Sequence, residues 1–144
     1  MRPGYFAIGV YLPKNVLNIG TLWRSAHAFG AAFIFTVGQR YKRQPGDVTK
    51  CQKAVPMFCY PDFEALKSSL PAESLLIGIE QSVISKDIKA FEHPERSVYM
   101  LGAEDDGIPE EILKQCHRVV SIDTPKCINV SVAGSIVMFH RTLQ

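Results

Sequence analysis

Short apolar runs alternate along this chain with segments whose apolar residues recur every three or four positions. Residues 5–12 are aromatic and aliphatic between Gly4 and Pro13, which predicts a first strand. Asn18 opens a predicted helix in which Ile19, Leu22, Ala26 and Phe29 form one stripe, and Gly30 stands where a C-cap belongs. Residues 32–37 predict a second strand, so the chain starts as β-α-β. Residues 38–53 are polar and predict a loop. Residues 61–70 predict a helix begun by Pro61 and Asp62, and residues 75–79 and 98–101 predict buried strands. Residues 109–115 predict a short helix, with Pro109 in its first turn, Glu110 and Glu111 at the positive end of its dipole and Lys114 near the other. A strand over 119–122 and a helix over 129–143 complete the pattern.

Strands alternating with helices predict an α/β domain around a mainly parallel sheet flanked by helices, one domain over residues 1–144. Ligands of such sheets bind beyond the carboxyl ends of the strands. The final helix adds a second expectation. Val130, Val132, Ala133, Ile136, Val137, Met138 and Phe139 cover more than one face, so a single sheet contact cannot bury them all. A second burial partner, another copy of the chain, is expected.

Composition narrows the class. At 144 residues and 47% hydrophobic content the chain can bury a core without a disulfide or metal. The net charge of +2 decides nothing about nucleic acid. Cys51, Cys59, Cys116 and Cys127 form no CxxC pair, and the four histidines are scattered, so no metal site is expected. No apolar run reaches the ~18 residues that span a bilayer. The N-terminus lacks a secretory apolar core, so the expected setting is cytoplasmic.

Three loops could carry chemistry. In the first, Arg24 lies five positions after Ile19 and so points away from the apolar stripe, while Asn18 caps the same helix; a plain cap and a solvated arginine would look alike. In the second, Gly102 and Gly107 flank Glu104, Asp105 and Asp106 after a strand. Three carboxylates disfavour a phosphate there and suit a nucleoside with a cationic centre, although an ordinary acidic turn has the same residues. The third runs from Ile122 past Cys127 to Asn129 and Ser131 at the start of the last helix, which is again a cap pattern. Between Arg40 and Lys53, the cations Arg40, Lys42, Arg43, Lys50 and Lys53 face the single acid Asp47, with Tyr41 among them. Clustered cations beside an aromatic suit RNA, and a solvated loop is the alternative.

Taken together and in this order, the three loops resemble the signature motifs of the SpoU/TrmH family of SPOUT methyltransferases. The first, N-x-G-x-x-x-R-x-A with a later F-G, is met by Asn18, Gly20, Arg24, Ala26, Phe29 and Gly30. The second, G-x-E-x-x-G and an aliphatic residue, is met by Gly102, Glu104, Gly107 and Ile108. The third, N-V-S-V-A, is met from Asn129 to Ala133. This resemblance implies a C-terminal trefoil knot, a homodimer, and an enzyme that moves a methyl group from S-adenosylmethionine to a ribose 2′-hydroxyl of tRNA or rRNA. It places Ile79, Leu101, Gly102, Gly107, Ile122, Cys127 and Ile128 at the cofactor. It makes Arg24 the catalytic arginine, with Asn18, Glu104 and Asn129 beside it, and Arg40, Lys42 and Arg43 are expected on RNA. Asp123 and Cys127 depart from the proline and serine usual in the family. A catalytically silent RNA-binding or assembly module of the same fold is the alternative.

Overall fold

The computed structural model describes residues 4–38, 49–103 and 105–144. Within them β1 (Tyr5–Tyr11) leads through α1 (Val16–Phe29) to β2 (Phe33–Val37), and α2 (Thr49–Ala54) precedes β3 (Met57–Tyr60). Then follow α3 (Phe63–Ser68), β4 (Leu75–Ile79), β5 (Lys86–Asp87) with a single 3-10 turn (Ile88–Ala90), and β6 (Arg96–Gly102). The chain ends with α4 (Glu110–Leu113), β7 (Arg118–Ser121) and α5 (Val130–Thr142). The described strands pair in parallel in one sheet, in the order β3-β2-β1-β6-β4-β7-β5.

Helices cover both faces of this sheet, which explains why its inner strands are apolar without alternation. Ile8 and Val10 of β1, Tyr99 and Leu101 of β6 and Ile77 of β4 pack with Ile19, Leu22, Trp23, Val137 and Met138 of α1 and α5. Their neighbours Ala7, Val98, Met100 and Leu76 pack on the opposite face with Phe63 and Leu66 of α3 and Leu113 of α4. Each large aliphatic side chain buried in this way stabilises the fold by roughly 1.5–3 kcal/mol. Gly134 lets α5 sit close to the sheet, because a Cβ there would lie 2.5 Å from Leu22 Cδ1 and 3.1 Å from Leu101 Cδ1.

The amino end of the sheet is closed by a buried cation. Arg141 is 6% exposed and donates to the carbonyls of Pro94 (2.7 Å) and Glu95 (2.7 Å) and to Tyr99 Oη (3.1 Å). Its guanidinium carbon lies 5.4 Å from the centroid of the Phe6 ring. His93 bridges the Tyr99 hydroxyl (2.6 Å) and His140 Nδ1 (2.8 Å). With Arg141 and His93 closing that end, the carboxyl end is left for ligands.

Several boundaries differ from the sequence expectations. Asn15, not Asn18, caps α1: its backbone is extended and its side chain accepts from Leu17 N at 2.9 Å. Asn18 falls inside the first turn, free of the capping role. The stripe itself holds, with Ile19, Leu22 and Ala26 buried and Phe29 packed at the core's edge, and Gly30 ends the helix at φ 82°. The expected loop over 38–53 contains the start of α2, and β3 and β5 had no counterpart in the reading. β3 is a four-residue edge strand between Pro56 and Pro61 whose burial does not alternate, and β5 has only two residues, so neither shows a readable strand pattern.

Candidate functional site

The loops that follow β4, β6 and β7 converge at the carboxyl end of the sheet. A cavity of about 100 Å³ there is lined by Ile79, Glu80 and Gln81, by Leu101, Gly102 and Ala103, and by Ile122, Thr124, Cys127 and Ile128, with Val130 and Ala133 of α5 behind. Parallel pairing produces this convergence: Ile79 is in register with Leu101 of β6 on one side and Val120 of β7 on the other. Apolar ends of neighbouring strands thereby make one wall. Six of the seven residues expected at a cofactor line this cavity, and the seventh, Gly107, lies against it.

The glycine turn has its own logic. Gly107 N donates to Ala103 O at 2.9 Å, folding the chain back on itself, and Gly107 holds φ at 62°, a conformation that disfavours any Cβ. A Cβ on Gly102 would come within 2.7 Å of the Gly107 carbonyl carbon and 2.8 Å of Glu80 Oε2. Both glycines are therefore set by close approach, and the closest side chain is Glu80. Its Oε2 accepts from Ile108 N (3.1 Å) and its Oε1 from Gln81 N (3.0 Å). Glu80 N in turn donates to Val120 O (2.9 Å), and Gln81 Nε2 to Ile122 O (3.3 Å). These two residues brace all three loops.

A larger hollow of about 440 Å³ adjoins this cavity, sharing Ala103 and Val130 with it; Lys14, Asn15, Asn18, Ile19 and Asp105 are among its other walls. Asn129 stands between the hollow and α5. Its Oδ1 accepts from Ser131 N (2.9 Å) and Val132 N (3.3 Å), capping the helix. With Oδ1 so committed, the amide nitrogen must face the other way, and it donates to Asn18 Oδ1 at 2.8 Å. The two asparagines, distant in sequence, form one polar pair at the mouth of the site.

The acidic turn is less available than its sequence suggests. Asp106 and Asp105 are exposed and lie 2.7 Å and 3.6 Å from Lys14 Nζ. The hydrogen bond that Lys14 donates to Asp106 raises the lysine's pKa above its ordinary value. Lys14 thus meets the charge the sequence reading reserved for a cationic ligand, and the carboxylate left in the smaller cavity is Glu80. Glu80 was absent from the sequence reading, although it directly follows a predicted strand, where ligand-contacting residues concentrate. Arg24 is exposed and lines neither cavity. Six residues past Asn18, it lies about 9 Å further along α1 and on another face. Glu104, Arg40, Lys42 and Arg43 lie outside the described residues, as do Tyr41 and Asp47. Among the described residues no group of three or more His, Cys, Asp or Glu could hold a metal ion.

Comparison with known proteins agrees with this architecture. The mouse (Mus musculus) tRNA (guanosine(18)-2′-O)-methyltransferase TARBP1 is 26% identical over 137 residues, a match covering 88% of this chain and 9% of that protein. The chain therefore spans only a small part of that relative's length. The TrmH/SpoU tRNA modifying enzyme of A. aeolicus superposes with a TM-score of 0.85 at 19% identity, covering 99% of this chain and 76% of that one. The SpoU methyltransferase AviRb of Streptomyces viridochromogenes, solved with AdoMet, gives a TM-score of 0.83 at 19% identity, covering 100% and 59%. At these identities the structural likenesses establish the fold. The profile of the SpoU rRNA Methylase family matches residues 5–139, nearly the whole chain, and the protein belongs to that family.

Proposed function

We propose that this chain is an S-adenosylmethionine-dependent RNA methyltransferase acting on a ribose 2′-hydroxyl of tRNA or rRNA. The observation that carries the reading is the cavity formed where the loops after β4, β6 and β7 meet. Its residues suit the cofactor. Ile79, Leu101, Ile122 and Ile128 offer apolar contact for a flat purine, and Gly102 exposes backbone where a Cβ would obstruct. The smaller cavity takes the nucleoside end, and the adjoining hollow leaves room for the target nucleotide. Bound there, S-adenosylmethionine supplies an electrophilic methyl on its sulfonium. The chain's own task is alignment, which can remove several kcal/mol of barrier. Asn18 and Asn129 orient the ribose at the mouth of the hollow. Arg24 orients the RNA backbone and stabilises the alkoxide developing at the 2′-oxygen, and the family resemblance assigns Glu104 to the same catalytic set. We take the three converging loops to be those of the trefoil knot that the family resemblance implies.

We further propose that the working unit is a homodimer, with Arg24 completing the partner's site. Val132, Ile136 and Phe139 lie at helical spacing on α5 and are 37–55% exposed, the second apolar face expected from the sequence, and Leu143 just past the helix extends it. Tight packing of this face against a copy would account for a helix apolar on two sides. Arg40, Lys42 and Arg43 contact RNA phosphates, so replacing all three by alanine flattens the salt dependence of RNA binding. Among the described residues no helix is long and apolar enough to cross a membrane. All four cysteines are free thiols, which supports a cytoplasmic setting. The cofactor assignment is tested by alkylation. Cys59 and Cys127 are both exposed, but only Cys127 lines the cavity. S-adenosylmethionine should slow alkylation of Cys127 and leave Cys59 unchanged; equal rates for Cys127 with and without it would remove the cofactor from this cavity.

A further inference from the structure

We infer that Glu80 is the counter-charge of the cofactor cavity and makes the site favour a cationic ligand over its neutral thioether product. The inference rests on the cofactor reading above and adds a residue and a specificity that the motifs do not contain. Glu80 is the one carboxylate among the described residues that line the smaller cavity. The carboxylates that looked suited to a cation, Asp105 and Asp106, are exposed and engaged by Lys14. Glu80 is half-buried and held in place: Oε1 takes Gln81 N, Oε2 takes Ile108 N, and Gly102 and Gly107 crowd Oε2 so closely that a Cβ on either would strike it. A carboxylate fixed by backbone donors is preorganised and needs no rearrangement when a ligand arrives. Each oxygen accepts one of these bonds and keeps a further lone pair.

In so small a cavity, ringed by Ile79, Leu101, Ile122 and Ile128, a bound group lies within a few ångströms of that charge. Coulomb attraction at such range is weakened far less than in bulk water. S-adenosylmethionine carries one net positive charge, and losing its methyl group removes that charge. The carboxylate therefore holds the methyl donor and weakens its grip once transfer has occurred, which speeds exchange of product for fresh donor. A residue that only braced the loops would affect both forms alike.

The test measures affinities for S-adenosylmethionine, for sinefungin, which carries an amine cation in place of the sulfonium, and for neutral S-adenosylhomocysteine. Glu80→Gln should weaken both cationic ligands roughly three- to tenfold more than the neutral one. Glu80→Asp keeps the charge but reaches less far, so it should weaken all three together and leave their ratios near wild type. A uniform loss in Glu80→Gln would overturn the inference and leave Glu80 as a brace. Should that variant fail to fold, the wild type decides: its preference for sinefungin over the neutral thioether should shrink from low to high salt, and a salt-independent preference would overturn the claim. If the wild type binds none of the three, the cofactor reading itself falls, whereas normal binding with unchanged ratios removes only the role of Glu80.

Discussion

The Asn18–Asn129 pair joins the first and last helices through one hydrogen bond, and its energetic signature can be worked out in advance. Asn129→Ala removes the α5 cap, which typically costs about 1 kcal/mol, and the 2.8 Å bond to Asn18, worth about 1 kcal/mol more. Asn18→Ala removes the shared bond and leaves the α1 cap in place, because Asn15 caps α1. The expected losses are therefore roughly 2 kcal/mol for Asn129→Ala and roughly 1 kcal/mol for Asn18→Ala. The double variant should lose roughly 2 kcal/mol, since the shared bond can be lost once only, giving a coupling energy of about 1 kcal/mol. Asn18→Asp retains the acceptor and should stay close to wild type. Urea unfolding of the four variants, extrapolated linearly to water, reads these differences. Strict additivity, with the double variant losing roughly 3 kcal/mol, would show that the two side chains do not meet and would refute the reasoning.

Arg24→Ala should abolish methyl transfer while leaving S-adenosylmethionine affinity within about threefold, because Arg24 lines neither cavity; calorimetry beside a transfer assay checks both halves. Phe139→Glu should split the proposed dimer, since burying an unpaired carboxylate costs several kcal/mol, and sedimentation should show monomers with depressed activity. Burial raises the Cys116 thiol from 9.0 to about 11. The folded state thus holds this proton more tightly than the unfolded one, so its contribution to stability is intact below pH 9 and is lost as the pH climbs through about 11. Iodoacetamide at pH 8 should accordingly spare Cys116 while modifying Cys59.

The legible parts of the sequence were those with a full period of pattern. The stripe from Ile19 to Phe29, the apolar run at 75–79 and the Asn129 cap needed only local spacing to be recognised. β3 and β5 were not legible, because their pairing with β2 and β7 depends on tertiary register and their few residues lie at the sheet's edges. Asn18 was misplaced as a cap because Asn15 offers the same side chain one turn earlier, and only the contact with Asn129 separates them. The residues expected at the cofactor follow from motif resemblance, and they collect around one cavity. Glu80 escaped because its significance lies in the space above Gly102 and Gly107, which spacing along the chain does not encode. The lysine beside the acidic turn was not legible for the matching reason: Lys14 comes from the loop after β1, far away in sequence.

Ribose methylation leaves a product that alkali distinguishes from base methylation. The purified chain is incubated with methyl-labelled S-adenosylmethionine and unmodified tRNA or rRNA, and the product is digested in alkali. A methylated 2′-oxygen cannot attack the neighbouring phosphate, so label on ribose survives as alkali-resistant dinucleotides. Label is expected in that fraction for the wild type and is expected to be lost in Arg24→Ala. Label in single nucleotides would place the methyl on a base, and cofactor binding without any transfer to RNA would make the chain the silent module; either result contradicts the account.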